Sequence, residues 1–154
     1  MPGTDERSAA LQSFPEGFHA LVLGASGAIG QAFYQQLHNI QRCALVLGID
    51  RHSQPGLDLC DEQSISAAAL SLQAQAPFHL IINASGLLHS PDWMPEKKLA
   101  DVHAKQMLAS FQVNTIGPAL LMRHFTPLLD QQRGVMALLS AKVGSIADNR
   151  LGGW

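Results

Sequence analysis

His19-Ala20-Leu21-Val22-Leu23-Gly24-Ala25-Ser26-Gly27-Ala28-Ile29-Gly30 decides the fold of this chain. A short apolar run leads into three glycines, and an amphipathic segment follows at once, an order that reads strand, tight turn, helix. Gly24 lets the chain turn sharply off the strand. A residue without a side chain at Gly27 lets backbone N–H groups approach an anion, and Gly30 lets the helix pack closely. Ser26 and Ile29 lie in the same turn. The positive end of the helix and its free N–H groups then face whatever the turn holds, which suits a pyrophosphate.

Working outward, the chain alternates strands and helices. Strands are expected over 18–23, 44–49, 57–59, 78–83 and 134–140, the third of them very short. Helices are expected over 28–37, from a cap at Asp61 to about Gln75, and over most of 97–129, with a bend at Gly117-Pro118 where proline removes a helical hydrogen bond. Ile29, Ala32, Phe33 and Leu37 share one helix face. The strand at 44–49 is apolar on both faces, as in a parallel strand covered on both sides. The expectation is an α/β, Rossmann-type doubly wound parallel sheet with helices on both faces, about five strands and an incomplete C-terminal part. Residues 1–17 are expected to be a flexible lead-in and 18–154 a single nucleotide-binding domain.

Composition narrows the class. With 154 residues, 47% hydrophobic and 14% charged, the chain can build a core and is no disordered segment. A formal net charge of −2 with no basic run gives no footprint for nucleic acid or an anionic membrane. No stretch is apolar enough to span a bilayer, and the polar start with Asp5 and Glu6 does not read as a signal peptide, so the expected location is cytoplasmic. Cys43 and Cys60 fit no metal or redox spacing, and the seven histidines form no ligand pair, so no metal is expected.

Two acids follow the turn. Asp50, at the end of the second strand, is placed to accept from an adenosine ribose, which favours NAD; Arg51 beside it would pair with a 2′-phosphate, which favours NADP. Asp58 reads from its spacing as a capping acid in the turn before Asp61.

These segments together resemble the short-chain dehydrogenase/reductases, closest to the carbonyl-reductase-like and C-factor-like members. The residues that carry the resemblance are the turn Gly24–Gly30, Asp58-Leu59, Asn83-Ala84-Ser85-Gly86, Val113-Asn114-Thr115 with Gly117-Pro118, Leu138-Leu139-Ser140, and the tail Val143-Gly144-Ser145-Ile146 with Gly152-Gly153-Trp154. The resemblance implies NAD or NADP as cofactor and hydride transfer between nicotinamide and a small carbonyl or alcohol substrate. It implies an alternative to the capping role of Asp58, that Asp58 with the backbone of Leu59 meets an adenine. It implies Asn83, Ala84 and Gly86 beside the adenosine ribose, Asn114 as the catalytic asparagine of a proton relay, and Ser140, or alternatively Ser145, as the substrate-positioning serine. It also implies a long helix around Leu120–Leu129 that meets its twin in a homo-oligomer.

The sequence departs from the pattern too. Ala28 stands at the middle glycine of the turn, Ser85 at an alanine, and Ala141 at the second serine of a pair. The family's Tyr-x-x-x-Lys is missing, and the one tyrosine, Tyr34, is on the first helix. The expectation is therefore a catalytically incomplete piece of an oxidoreductase; the alternative is a non-catalytic dinucleotide-binding module. A methyltransferase would explain Gly24 to Asp50 but not Asn83–Gly86 or Val113-Asn114. Without later strands, the apolar strand at 134–140 would be an exposed edge.

Overall fold

The computed structural model describes residues 11–145 and 147. The ten residues before them and the tail motif at Ile146 and Gly152-Gly153-Trp154 lie outside the described residues.

Four strands form one parallel sheet: β1 (Phe18–Leu23), β2 (Cys43–Ile49), β3 (Leu80–Asn83) and β4 (Val135–Leu138), in the order β2-β1-β3-β4. Helices connect them on both faces: α1 (Ala28–His38), α2 (Glu62–Ser71), α3 (Ala104–Phe111) and α4 (Gly117–Phe125). The doubly wound Rossmann-type expectation holds, with four strands in place of five.

The alternation of β1 explains the two layers. Leu21 and Leu23 point into one core with Ile65, Phe78, Ile81, Leu121 and Phe125. Phe18, Ala20 and Val22 point into the other with Leu37, Val46, Leu80 and Ile82. Each face of a strand with period two buries its own helix layer. β1 is the most enclosed element, with Phe18 and Ala20 through Leu23 all at 0% exposure.

The strand expected at 57–59 does not form. Leu57 N–H donates to Asp50 O (2.8 Å) and Asp58 N–H to the Ser64 hydroxyl (2.9 Å), which itself donates to Gly56 O (2.8 Å). The backbone groups a ladder would need are used locally, and Leu57 and Leu59 are buried in the core from a loop. The cap at Asp61 is present: its side chain accepts from Gln63 N–H. A short 3₁₀ turn, Gln73–Gln75, completes that helix.

The long helical stretch is broken as expected, one step earlier. Pro118 has no N–H for the Asn114 carbonyl, and a π-helical turn over Gln112–Ile116 takes up the extra residue, with Gly117 N–H donating to Gln112 O. The apolar band at Leu120–Leu129 packs in part against the sheet. Leu121 and Phe125 are at 0% exposure and Leu128 at 6%, because this face covers the sheet.

The packed part also starts before residue 18. Phe14 is buried, its ring lies 5.3 Å from that of Phe18, and Arg42 Nη2 donates to its carbonyl (2.8 Å), so residues 11–17 are not the loose lead-in expected there. No helix among the described residues is long and apolar enough to cross a membrane.

Candidate functional site

The turn after β1 is built around Gly24. Its φ of +82° lies in the left-handed region, which a side-chain-bearing residue enters only with strain. Gly24 N–H (2.7 Å) and Ala25 N–H (3.3 Å) both donate to Ile49 O, which ties the turn to the end of β2. Gly27 N–H donates to Gly24 O (3.2 Å), and Gln31 N–H to Gly27 O (2.8 Å) starts the helix. Gly27 caps α1 without a side chain, and no acidic residue sits in the first turn. The N–H groups of that turn have no intrahelical acceptor and carry the positive end of the helix. A Cβ at Gly30 would collide with the Gly24 carbonyl, so this glycine lets the helix lie on the turn itself.

The turn forms one wall of a cleft of about 260 Å³. Gly24, Ser26 and Gly27 face it from the turn, Asp50 and Arg51 from the end of β2, Leu57 through Cys60 from the loop before α2, Ala84 through Leu87 from the loop after β3, and Val113 from the π-helical turn. Five segments distant in sequence thus converge at the C-terminal ends of parallel strands, beside the point where β2 and β3 leave β1 in opposite directions. Most of the cofactor residues read from the sequence lie together here.

Asp50 is held by its own loop. His52 N–H donates to its Oδ1 (2.7 Å), and the Ser53 hydroxyl accepts from Asp50 N–H (2.9 Å). The His52 N–H, with the Ser26 and Ser53 hydroxyls, holds the Asp50 carboxyl below its ordinary range, and it is anionic at neutral pH. Arg51 is exposed on the same rim. Asp58 lines the cleft, and its Oδ1 accepts from Cys60 N–H (2.9 Å) in the turn before Asp61. Leu59 is buried behind it. The Cys60 thiol is pushed up by burial and by Asp58 beside it.

Three other expected residues stand apart from the cleft lining. Asn83 is at 2% exposure, and its Oδ1 accepts from Ser85 N–H (3.1 Å), so it shapes the loop from behind. Ile29 is 59% exposed on the first turn of α1, and Gly30 is buried beneath it.

The two catalytic candidates are placed differently. Asn114 lies in the π-helical turn next to Val113, and its side chain is committed to Leu87: Oδ1 accepts from Leu87 N–H (2.8 Å) and Nδ2 donates to Leu87 O (2.7 Å). Ser140 is exposed just beyond β4, and neither it nor Ser145 lines the cleft. Tyr34 packs against the His38 ring on α1, with centroids 4.7 Å apart, also outside the cleft.

Leu57, Cys60, Ser85, Leu87 and Val113 also line the cleft and were not singled out as site residues. Ser85 had a signal, its departure from the alanine of the pattern. The others had none, because their place depends on loops meeting across the sheet. A larger, open hollow of about 870 Å³ lies between the segment 96–102 and the outer side of α3, with Met107, Phe111 and Asn114 in its wall, and has no part of the glycine turn. Among the described residues, no group of three His, Cys, Asp or Glu is placed to hold a metal ion.

No family model matches the sequence, and no curated protein matches it. Solved structures do match in three dimensions. A carbonyl reductase from chicken fatty liver, solved with NADPH, superposes with a TM-score of 0.75 at 23% identity over 98% of this chain and 66% of its own. A small-chain dehydrogenase superposes with a TM-score of 0.66 at 26% identity over 82% of this chain and 61% of its own. A short-chain dehydrogenase from Burkholderia cenocepacia, solved with NADP, gives 0.68 at 22% identity over 85% and 55%. The chain therefore spans less than two-thirds of the length of each of these structures. The chain has the fold of the short-chain dehydrogenase/reductases.

Proposed function

We propose that the cleft holds NAD or NADP and that the chain is the cofactor-binding part of an oxidoreductase of the short-chain dehydrogenase/reductase type. The observation that carries this reading is the convergence of the Gly24 turn, Asp50 with Arg51, and the Ala84–Leu87 loop on one cleft. The fit rests on Gly24: a Cβ there would lie 2.5 Å from the Ser85 hydroxyl, so the glycine keeps the floor between turn and loop open. Solved chains of this fold named above hold NADPH or NADP.

When bound, the nicotinamide would supply the hydride chemistry, exchanged with a small carbonyl or alcohol. The chain's own residues bind and orient. The first-turn N–H groups of α1, with Ser26 and Gly27, hold the pyrophosphate. Asp50 accepts from a ribose hydroxyl, and Arg51 offers a cation to a 2′-phosphate; the pair leaves both coenzymes as ligands. Asp58 and Leu59 close the adenine side. The reading carries with it a cytoplasmic location.

The 154 residues hold no Tyr-x-x-x-Lys, Tyr34 lies outside the cleft, and the Asn114 amide is occupied by Leu87. We therefore expect this polypeptide to bind dinucleotide and to turn over carbonyl compounds very slowly or not at all. The same observation supports the second reading, a non-catalytic dinucleotide-binding module. Titrating NADH and NADPH against the melting temperature, then assaying a carbonyl panel, tests both. No thermal shift at saturating coenzyme defeats the two together, and rapid turnover defeats the account of the missing acid. A Tyr-x-x-x-Lys encoded directly after Trp154 would favour the enzyme over the module.

A further inference from the structure

We propose that Ser85 is an additional dinucleotide-binding residue, its hydroxyl donating to an oxygen of the ADP portion where this passes Gly24. The proposal rests on the reading of the cleft given above.

Ser85 is fixed from both sides. Its own N–H donates to Oδ1 of the buried Asn83 (3.1 Å), and the preceding Ala84 N–H donates to Leu23 O (2.9 Å). Two residues on, Leu87 is gripped through both backbone groups by Asn114. The segment between these anchors is short, and it lines the cleft throughout. A serine held this way has its Cβ direction set by the backbone, and its hydroxyl takes one of the staggered χ1 positions about it.

That hydroxyl stands over the turn, 2.5 Å from where a Cβ on Gly24 would be. Among the described residues it has no hydrogen-bond partner. Ser26, the other hydroxyl of the cleft, stands on the glycine turn itself. Ser85 thus brings a second hydroxyl, unpaired among the described residues, to the cleft from the loop that faces the helix end. Hydroxyl donors to anionic oxygens make short, strong hydrogen bonds, and a serine on an anchored backbone has only χ1 and its O–H rotor to order on binding.

The test is equilibrium binding of NADH and of ADP-ribose, which lacks the nicotinamide, to the 154-residue chain and its variants. Ser85→Ala is expected to weaken both ligands by about ten- to a hundredfold, as for a hydrogen bond to a charged group, and to leave the melting temperature of the free chain unchanged. Ser85→Cys keeps the size and nearly loses the donor. It is expected to match the alanine variant in binding, which a purely packing role would not produce. Wild-type affinity for ADP-ribose in both variants overturns the proposal while leaving the cleft reading in place. Failure of the unmodified chain to bind either ligand overturns the cleft reading, and Ser85 with it.

Discussion

Asn114 holds Leu87 by both backbone groups, accepting from its N–H at 2.8 Å and donating to its carbonyl at 2.7 Å. A side-chain amide here does what a neighbouring strand would do, and it does so from a π-helical turn created next to Pro118. Its commitment to the post-β3 loop makes Asn114 a positioning residue for the cleft.

Asn114→Ala removes both bonds, and about 1–2 kcal/mol of stability should go with them, since the pair is exposed. Urea denaturation measures it. Dinucleotide affinity should fall too, because the Ala84–Leu87 loop loses its downstream anchor. Asn114→Asp keeps the acceptor for Leu87 N–H but sets a carboxylate against the Leu87 carbonyl, and should be no better than alanine. Full stability in both variants would contradict the clamp.

The three glycines of the turn should respond unequally to alanine. At Gly24 the left-handed backbone and the close Ser85 loop both resist a side chain, so Gly24→Ala should cost about 1–3 kcal/mol and abolish binding. Gly30→Ala forces a methyl onto the Gly24 carbonyl and should be at least as damaging. Gly27→Ala meets its nearest neighbour at an ordinary 3.5 Å with φ at −71°, so its stability loss should stay below about 1 kcal/mol. Equal loss across the series would refute this account of the turn.

Asp50 sets an acid limit. Its carboxyl is depressed in the folded chain, chiefly by the His52 N–H. A depressed carboxyl contributes stability above its unfolded value and loses it as the pH falls through the folded one, so the loss belongs below about pH 4. Asp50→Asn should flatten the dependence of the urea midpoint on pH in that window. It should not remove it, because Asp130 is lowered as well by the N–H groups of Arg133 and Gln132. Asp50→Ser should also raise affinity for NADPH relative to NADH by about tenfold, by removing a charge that repels a 2′-phosphate.

Among the described residues β4 pairs only with β3, and Val135, Leu138 and Leu139 are 47%, 37% and 43% exposed. An apolar sheet edge of this kind invites pairing with another chain. Light scattering over a dilution series should show association that rises with concentration, and Val135→Lys should reduce it. A monodisperse monomer at the highest concentration would count against this.

The legible parts of the molecule were those whose signal is local. The Gly24–Gly30 turn and the Asp61 cap act through residues a few positions apart, and the two faces of β1 follow from alternation. Leu57-Asp58-Leu59 misled because its apolar–polar–apolar order imitates a strand, while Ser64 and Asp50 take its backbone groups. The band at Leu120–Leu129 is ambiguous in the sequence because an inward face and an association face have the same spacing. The Asn114 clamp was invisible because its partner is peptide backbone, which leaves no mark on residue type. Ser85 was noticed only as an irregularity, and its position over Gly24 emerges only when the sheet brings β3 beside β1.

The central place of β1 has a last consequence. Gly24 hangs from its end, and the loop bearing Ser85 hangs from β3 beside it, so the two jaws of the cleft meet only when that seam is zipped. A molecule grasped by both jaws acts as a rivet through the middle of the sheet. Its free concentration and dissociation constant would then set how far the whole sheet, not just one loop, is shifted away from unfolding.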